Sequence, residues 1–546
     1  MNPNTPLFRK IAYLSAFVIL AIPIVWLGAP STREEKGGKL AQLRTESRLG
    51  QADLGDIDPA SETIRLATLG LRGIAVTMLW SKANEYKKTE DWTAFQATLE
   101  QLARLQPYFI KVWEYQAWNL SYNVSVEVDN VRDRFYYVKQ GIKYLKEGIG
   151  YNRDNPTLLD DLGWFTGNKV GRADEHEIYR KLFKLDEDLH PEGDLASRDN
   201  WLVSKGWYEQ AVESIDVGGQ PLGTKNPTTF FDSPARSQIS YAEAIETEGV
   251  FGQQAKRAWQ EGAKLWREYG TREMPSTEEF LIRLVDLKKW QDEEKKLRAE
   301  LDAMSPGLEA QMKEEAVASF TSEQRAIYES PTENPNPEES KLQTEVMAAT
   351  EITLDEIAGR IAKDQPDKAA EARRLTTRIE NAHRRASLID SNRDVANYEY
   401  WRIRCDLEQT PEALEARRLA HDAKRQFETE GNLLGAKDLY ERSFDAWAKA
   451  LAQFPELPAD STTGSDLVDV VEEYVRVLDQ MELSLSDEEI ADRFPLWDLL
   501  KANDGQRKYS AAIEAHDARV SGKPVPKPQA QATDKSLINP ADAIPQ

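Results

Sequence analysis

Cysteine is almost absent from this chain of 546 residues: Cys405 stands alone. A single thiol closes no intrachain disulfide and builds no paired CxxC site, so the fold rests on packing. Cys405 lies in the helical pattern YEYWRIRCDLEQ. There a thiol is expected to be buried and inert, because catalysis needs a lowered pKa and a partner base. Histidine is scarce, at five residues. No Gly-rich phosphate loop, HExxH or nucleophile elbow occurs. Positive charge is in deficit: 70 Lys and Arg face 93 Asp and Glu, for a formal net charge of −23. Such a surface repels nucleic acid, and no nucleic-acid partner is expected.

What is present is amphipathic helix. Apolar residues make up 40% and charged residues 30%, in a chain long enough for several domains. The organising stretch is 107–163. Trp113, Ala117 and Leu120 fall on one helical face, and Tyr137, Ile142, Leu145 and Ile149 on another. Before it, Trp80, Ala83 and Tyr86 are followed by Phe95, Leu99 and Leu102 and end at Pro107. After it, Leu159-x2-Leu162-Gly163 continues to Tyr179 and Pro191. This spacing resembles the tetratricopeptide repeat, in which small residues let two helices approach, large ones fill the hole and Pro ends the unit. The resemblance implies an all-α fold, a tetratricopeptide-like α-α superhelix of degenerate helix-turn-helix repeats. The 14 Trp then read mainly as fillers of the grooves between helices.

The chain start predicts a tether. Residues 11–27, IAYLSAFVILAIPIVWL, are strongly apolar, and no charge appears from Ile11 through Thr32. That is about 22 residues, enough to cross a hydrocarbon core as one transmembrane helix, with a kink at Pro23 and Trp26 at the interface. A cleaved signal peptide is the competing reading, but no A-x-A site follows. Arg9 and Lys10 favour a cytoplasmic N-terminus, whereas Arg33, Lys36, Lys39, Arg44 and Arg48 pull the other way. The expectation is a single-pass inner (cytoplasmic) membrane protein with its body outside the cytoplasm.

Composition divides the chain into an anchor (1–30), a linker (31–60), a repeat domain (61–275), a charged arm with a Pro/Glu-rich linker (276–341), a second repeat region (342–509) and a disordered tail (510–546). Within these, Ser233-Pro234 and Thr410-Pro411 read as helix starts. Ser276 with Glu279, and Thr353 with Glu356, read as capping boxes. The helix opened at Ser276 becomes so charged that it is expected to stand out as a solvated arm. Phe427, Gly431, Ala436 and Tyr440 mark the cleanest repeat. The Gly/Pro-rich stretch 216–232, with the insertion 124–134, is the candidate contact surface. Its partner-binding candidates are Phe230, Phe231, Asp232 and Arg236, although the two Phe could instead staple the loop to the next helix.

Two clusters hold metal-type ligands, Asp174-Glu175-His176-Glu177 and Glu380-x-x-His383. Adjacent residues on a helix diverge, and a carboxylate-bridged di-iron bundle would need a second Glu-x-x-His. No cofactor, metal ligand or catalytic residue is therefore expected. The alternative is an α-helical metal-binding protein or enzyme built on His176 or on Glu380 and His383. Taken together, VWEYQAWNLSYNVSVE, NPTLLDDLGW, FFDSPAR and YEYWRIRCDLEQTPEAL resemble a family of membrane-anchored helical-repeat proteins of planctomycete-type bacteria. The resemblance implies location and architecture, and transfers no catalytic residues. The expected role is a membrane-anchored scaffold that binds protein partners or basic peptides, one form of which is a subunit of an envelope or export complex.

Overall fold

Side-chain caps and small-residue contacts set the helix pairs of this protein. A computed structural model describes residues 39, 42 and 72–523, except 90, 191–193, 279, 332–334, 460 and 506. The expected anchor, nearly all of the linker and residues 524–546 lie outside these. The described residues form 22 helices and one two-stranded hairpin, so the fold is all-α. Among them no helix is long and apolar enough to cross a membrane. The chain divides into two compact units, 1–224 and 225–546. The helices at 227–271, which the sequence pattern groups with the first repeats, fall in the second unit.

The first unit contains α1 (Arg72–Lys88), α2 (Trp92–Leu105), α3 (Ile110–Trp118), α4 (Val131–Tyr151), α5 (Pro156–Trp164), α6 (His176–Leu185) and α7 (Asn200–Asp216). Helix α3 runs on through a π segment, Asn119–Asn123, and a 3-10 turn, Val124–Glu127. Helix α5 runs on through a π segment, Phe165–Lys169. Asp91, Asn130, Asn155 and Asp199 cap four of these helices through their side chains, satisfying amides that have no helical acceptor. The turn before α3 is held at one carbonyl: Trp113 Nε1 and Asn152 Nδ2 both donate to Pro107 O, at 2.8 and 2.7 Å. The core gathers Leu99, Leu102, Trp113, Ala117, Ile142, Leu145, Leu158 and Leu162, all nearly inaccessible.

Two glycines set the closest approaches. A Cβ at Gly148 would lie 2.7 Å from the Trp113 indole, and one at Gly163 would lie 2.8 Å from the Tyr208 ring. Each bare backbone therefore seats an aromatic ring of the neighbouring helix, α3 against α4 and α7 against α5.

The second unit opens with α8 (Pro227–Thr247) and α9 (Gln253–Thr271). A hairpin follows, β1 (Met274–Pro275) paired antiparallel with β2 (Leu281–Ile282). Next come α10 (Leu287–Met304), α11 (Leu308–Ala318), α12 (Ser322–Glu329), α13 (Pro337–Thr350), α14 (Leu354–Asp364) and α15 (Ala369–Ala396). The unit continues with α16 (Tyr398–Glu408), α17 (Pro411–Arg425), α18 (Leu433–Leu451) and α19 (Ser461–Gln480). It closes with α20 (Glu488–Ala491), α21 (Trp497–Asn503) and α22 (Ser510–Val520). The capping box at Thr353 and Glu356 and the helix start at Thr410-Pro411 are present. Gly431 takes the left-handed conformation at φ 64° before α18, and Ala436 and Tyr440 are fully buried.

Four expectations are corrected. Pro234 does not start a helix; it lies inside α8, which begins seven residues earlier at Asn226-Pro227. Both sites carry a capping residue before Pro, and the first is already extended by buried Phe230, Phe231 and Asp232 when the second is reached. Ser276 does not cap a helix. Its hydroxyl donates to Phe280 O at 2.8 Å and accepts from Glu278 N at 3.1 Å, closing the hairpin that buries Met274 and Ile282. The charged helix is not a free arm: α10 packs along α15, with Leu297 and Leu301 buried beside Ile379 and Ala382. The stretch 510–520 is helical, with Ala512 and Ala515 buried and His516 stacked on Trp497 at 4.3 Å.

The glycine contacts predict opposite effects two residues apart on α4. A Cβ at Gly148 meets the indole, whereas Gly150 has nothing within 4 Å. Gly148→Ala should destabilise by about 1–3 kcal/mol through overpacking. Gly150→Ala should stabilise by about 0.5–1 kcal/mol, because only chain entropy changes. Urea unfolding of both full-length variants checks this, and a Gly148→Ala variant as stable as wild type would contradict the seating of Trp113.

Candidate interaction face

In a helix, the residue after a buried small one is turned about 100° away from the packed face. Ala117-Trp118 on α3 and Gly163-Trp164 on α5 repeat this arrangement. Ala117 is fully buried and Gly163 seats Tyr208, while Trp118 and Trp164 are each 47% exposed. Each Trp directly precedes a π segment. Such wide turns recur at functional positions in helices.

The two segments meet through aromatic contacts. Trp118 stacks on Tyr122 with centroids 4.1 Å apart and planes at 18°. Trp164 Nε1 donates to the Tyr122 hydroxyl at 3.1 Å. Phe165 meets the Tyr122 ring edge-on at 5.6 Å, and the Lys169 ammonium lies 4.5 Å from the Tyr122 centroid. Burial pushes the Lys169 amine below its usual range, and burial raises the Tyr122 hydroxyl, with the Trp164 hydrogen bond opposing it. Toward α1 the aromatic series continues, with Trp80 at 6.1 Å from Tyr115 and Lys87 at 5.4 Å from that ring. The result is a half-exposed, fixed patch of flat rings with indole, hydroxyl and ammonium groups. It can bury apolar side chains, stack on planar groups and hydrogen-bond a main chain.

Sequence reasoning missed Trp118, Tyr122, Trp164 and Lys169. A signal existed in the two Trp that follow a close-packing residue, but composition alone assigned tryptophans to grooves.

The residues singled out from sequence lie elsewhere. Phe230, Phe231 and Asp232 are on α8 and at most 7% exposed; Arg236 keeps a 36% exposed side chain. Arg236 Nε donates to Asp232 Oδ2 at 2.5 Å and Nη2 to Ala396 O at 2.6 Å, and its guanidinium lies over Trp266 and Trp401. The Arg272 guanidinium covers the Phe231 ring at 3.8 Å. These four residues thus tie α8 to α9, α15 and α16. The loop itself is shorter than expected: α8 already begins at Pro227, and the end of α7 is closed by Gln220 N donating to Ser214 O, with Gly219 at φ 66°. The insertion at 124–134 is also tied down, by Arg134 Nε donating to Val128 O at 2.6 Å and by an Arg134–Glu175 ion pair.

The two metal-type clusters come apart. Glu175 faces Arg134, while His176 Nδ1 sits 2.9 Å from Ala173 O. Glu380 and His383 are exposed on α15, where His383 faces Glu294 at 3.3 Å. Among the described residues no group of three His, Cys, Asp or Glu side chains is arranged to hold a metal ion. Cys405 is fully buried, and burial pushes its thiol well above the ordinary range.

A dense titratable cluster lies in the second unit. Arg417 grips Glu408 at 2.5 and 3.2 Å. Arg404 reaches Asp466 at 2.9 Å, Glu243 at 3.1 Å and the Tyr400 hydroxyl at 2.6 Å. Trp259 Nε1 donates to Glu246 Oε1 at 3.0 Å. These contacts join α8, α9, α16, α17 and α19. Burial, reinforced by the Glu408 carboxylate, pushes the Glu246 carboxyl up to about 8. Arg417 and Arg404 outweigh burial at Glu408 and hold it below the usual carboxylate range.

Compared with known proteins, the chain matches no family model, no curated protein and no solved structure.

The raised Glu246 carboxyl sets a pH dependence. Folded protein keeps a proton that unfolded chain releases above about 4.5. The stabilisation is complete below that value and is lost as pH rises towards 8. Glu246→Gln keeps the acceptor for Trp259 and cannot ionise. The variant should match wild type near pH 5 and exceed it by about 1–3 kcal/mol near pH 8. Urea unfolding across this range measures the difference, and parallel pH profiles would show that Glu246 does not titrate in the window.

Proposed function

We propose that this protein is a membrane-anchored helical-repeat scaffold whose first unit binds an extended segment of a protein partner. The observation that carries this reading is the repeated placing of Trp118 and Trp164. Both follow a close-packing residue, precede a π segment and keep about half of their surface open. Interfaces concentrate their binding energy in such rigid aromatic anchors. A half-exposed Trp that already packs and hydrogen-bonds loses little freedom on binding.

Helix pairs closed by Ala or Gly and filled by aromatics support a tetratricopeptide-like reading of the first unit, and so do α17 and α18 around Ala436 and Tyr440. Such arrays act by presenting surface rather than by chemistry. The apolar run at 11–27 supports a tether that holds the body at an inner membrane. The net charge of −23 favours a partner segment carrying some basic residues. A permanent place in an envelope or export complex is one form of this role, and the resemblance to membrane-anchored planctomycete-type proteins agrees with it.

The test is purification of the full-length protein from native membranes in mild detergent, for wild type and for Trp118→Ala/Trp164→Ala. A partner recovered stoichiometrically with wild type should fall at least about tenfold with the double variant, since hot-spot truncations cost about 2 kcal/mol or more. Circular dichroism should stay unchanged. Equal recovery with both proteins would place the binding surface elsewhere.

A further inference from the structure

The first unit holds a second feature, separate from the aromatic face. A cleft of about 230 Å³ opens between α4, the π segment after α5, α6 with its following turn, and α7. Its walls are apolar: Ile142, Phe183, Leu189, Val203 and Trp207. Two nitrogen groups, Lys146 and His190, line it as well.

His190 is 8% exposed, and its Nε2 is buried with no hydrogen-bond partner among the described residues. Its ring packs edge-on against Phe183 at 4.6 Å, and the Phe183 main chain beside it favours the protonated imidazole. Protonated, His190 presents an N–H at Nε2. A buried polar atom left without a partner is costly, and in native proteins it commonly marks a place where something else binds.

Lys146 Nζ donates to Leu189 O at 3.3 Å and lies 5.9 Å from the Trp207 ring. Neighbouring charge is mostly positive. Arg198 and Lys146 both oppose protonation of His190, and Lys143 opposes that of Lys146. The acid that faces His190 is Asp186, which is already paired with Lys139 at 2.6 Å. Asp188 is likewise paired, with Lys139 and Lys143. In a chain of net charge −23, this cleft is a local exception.

We propose that the cleft binds a small organic carboxylate, with its apolar body against Phe183, Val203 and Trp207 and its carboxylate between Lys146 and a protonated His190. An anion there supplies a charged acceptor to an ammonium that otherwise donates to the Leu189 carbonyl, and a reason for the imidazole to take up a proton. Burial and the adjacent cations hold the free imidazole below its ordinary range. Binding of the anion raises it, so a proton enters with the ligand. Affinity is then highest on the acid side and falls as pH rises through the interval between the free and the bound imidazole.

The probe is benzoate, with benzamide as the uncharged isostere, titrated calorimetrically into the full-length protein at about pH 6 and about pH 8. Benzoate should bind with one site per chain, at least about tenfold more tightly at the lower pH, since one linked proton changes affinity by up to about tenfold per unit. Proton uptake should show as a dependence of the heat on buffer ionisation enthalpy. Benzamide should bind at least about tenfold more weakly. Lys146→Met keeps the apolar stem and should weaken benzoate about tenfold at both pH values while leaving the pH slope. His190→Gln should abolish the slope. If His190→Gln fails to fold, Lys146→Met and the isostere comparison still decide. Equal affinity for benzoate and benzamide, or binding indifferent to Lys146→Met, would overturn the proposal.

Discussion

The seating of aromatic rings on bare backbone is the contact on which the first unit depends. Trp113 lies against Gly148, and Tyr208 lies against Gly163. A ring placed there fixes both the distance and the rotation of the two helices, because any side chain at the glycine would collide. Rotation in turn decides which residues face outward. Trp118 and Trp164 are exposed because Ala117 and Gly163 beside them are pinned inward, and a helix turns about 100° per residue. The aromatic face is a consequence of the packing.

The second unit solves a different problem. Around Glu408 four helices, α8, α16, α17 and α19, meet through guanidinium–carboxylate contacts, and the Trp259 indole ties α9 to Glu246. Removing either partner would leave a charge in a low-dielectric setting, which typically costs about 3–5 kcal/mol. The contacts are directional, so they specify how α16 and α17 sit against α8 and α19 more narrowly than apolar side chains would. One carboxyl in the cluster, Glu246, stays protonated near neutrality, since burial and the neighbouring Glu408 carboxylate oppose a second negative charge there.

Much of the local structure was legible because it is encoded locally. Thr353 with Glu356 and Thr410-Pro411 act through neighbours three residues away or fewer, and each opens a helix. Buried positions such as Trp113, Ala117, Ile142 and Leu145 followed from helical spacing. The misreadings occurred where two local signals competed or where the partner lay far along the chain. Pro234 and Ser276 carry the same marks as true starts, and only the burial of Phe230, Met274 and Ile282 distinguishes them. Helix α10 looked solvated because its apolar stripe is thin; Ile379 and Ala382, some eighty residues later, cover it.

Sequence by itself determined an all-α chain, the position of most helices, the isolation of its one thiol and its acidic balance, because these follow from composition, periodicity and caps within a turn or two. It also named Phe230, Phe231, Asp232 and Arg236 as candidate contact residues, and tertiary packing buries the first three on α8. The half-exposed Trp118 and Trp164, the unpartnered nitrogen of His190 and the raised carboxyl of Glu246 exist only in three dimensions. Each depends on which distant side chains exclude water from it, and that is set by how helices far apart in sequence are rotated against one another.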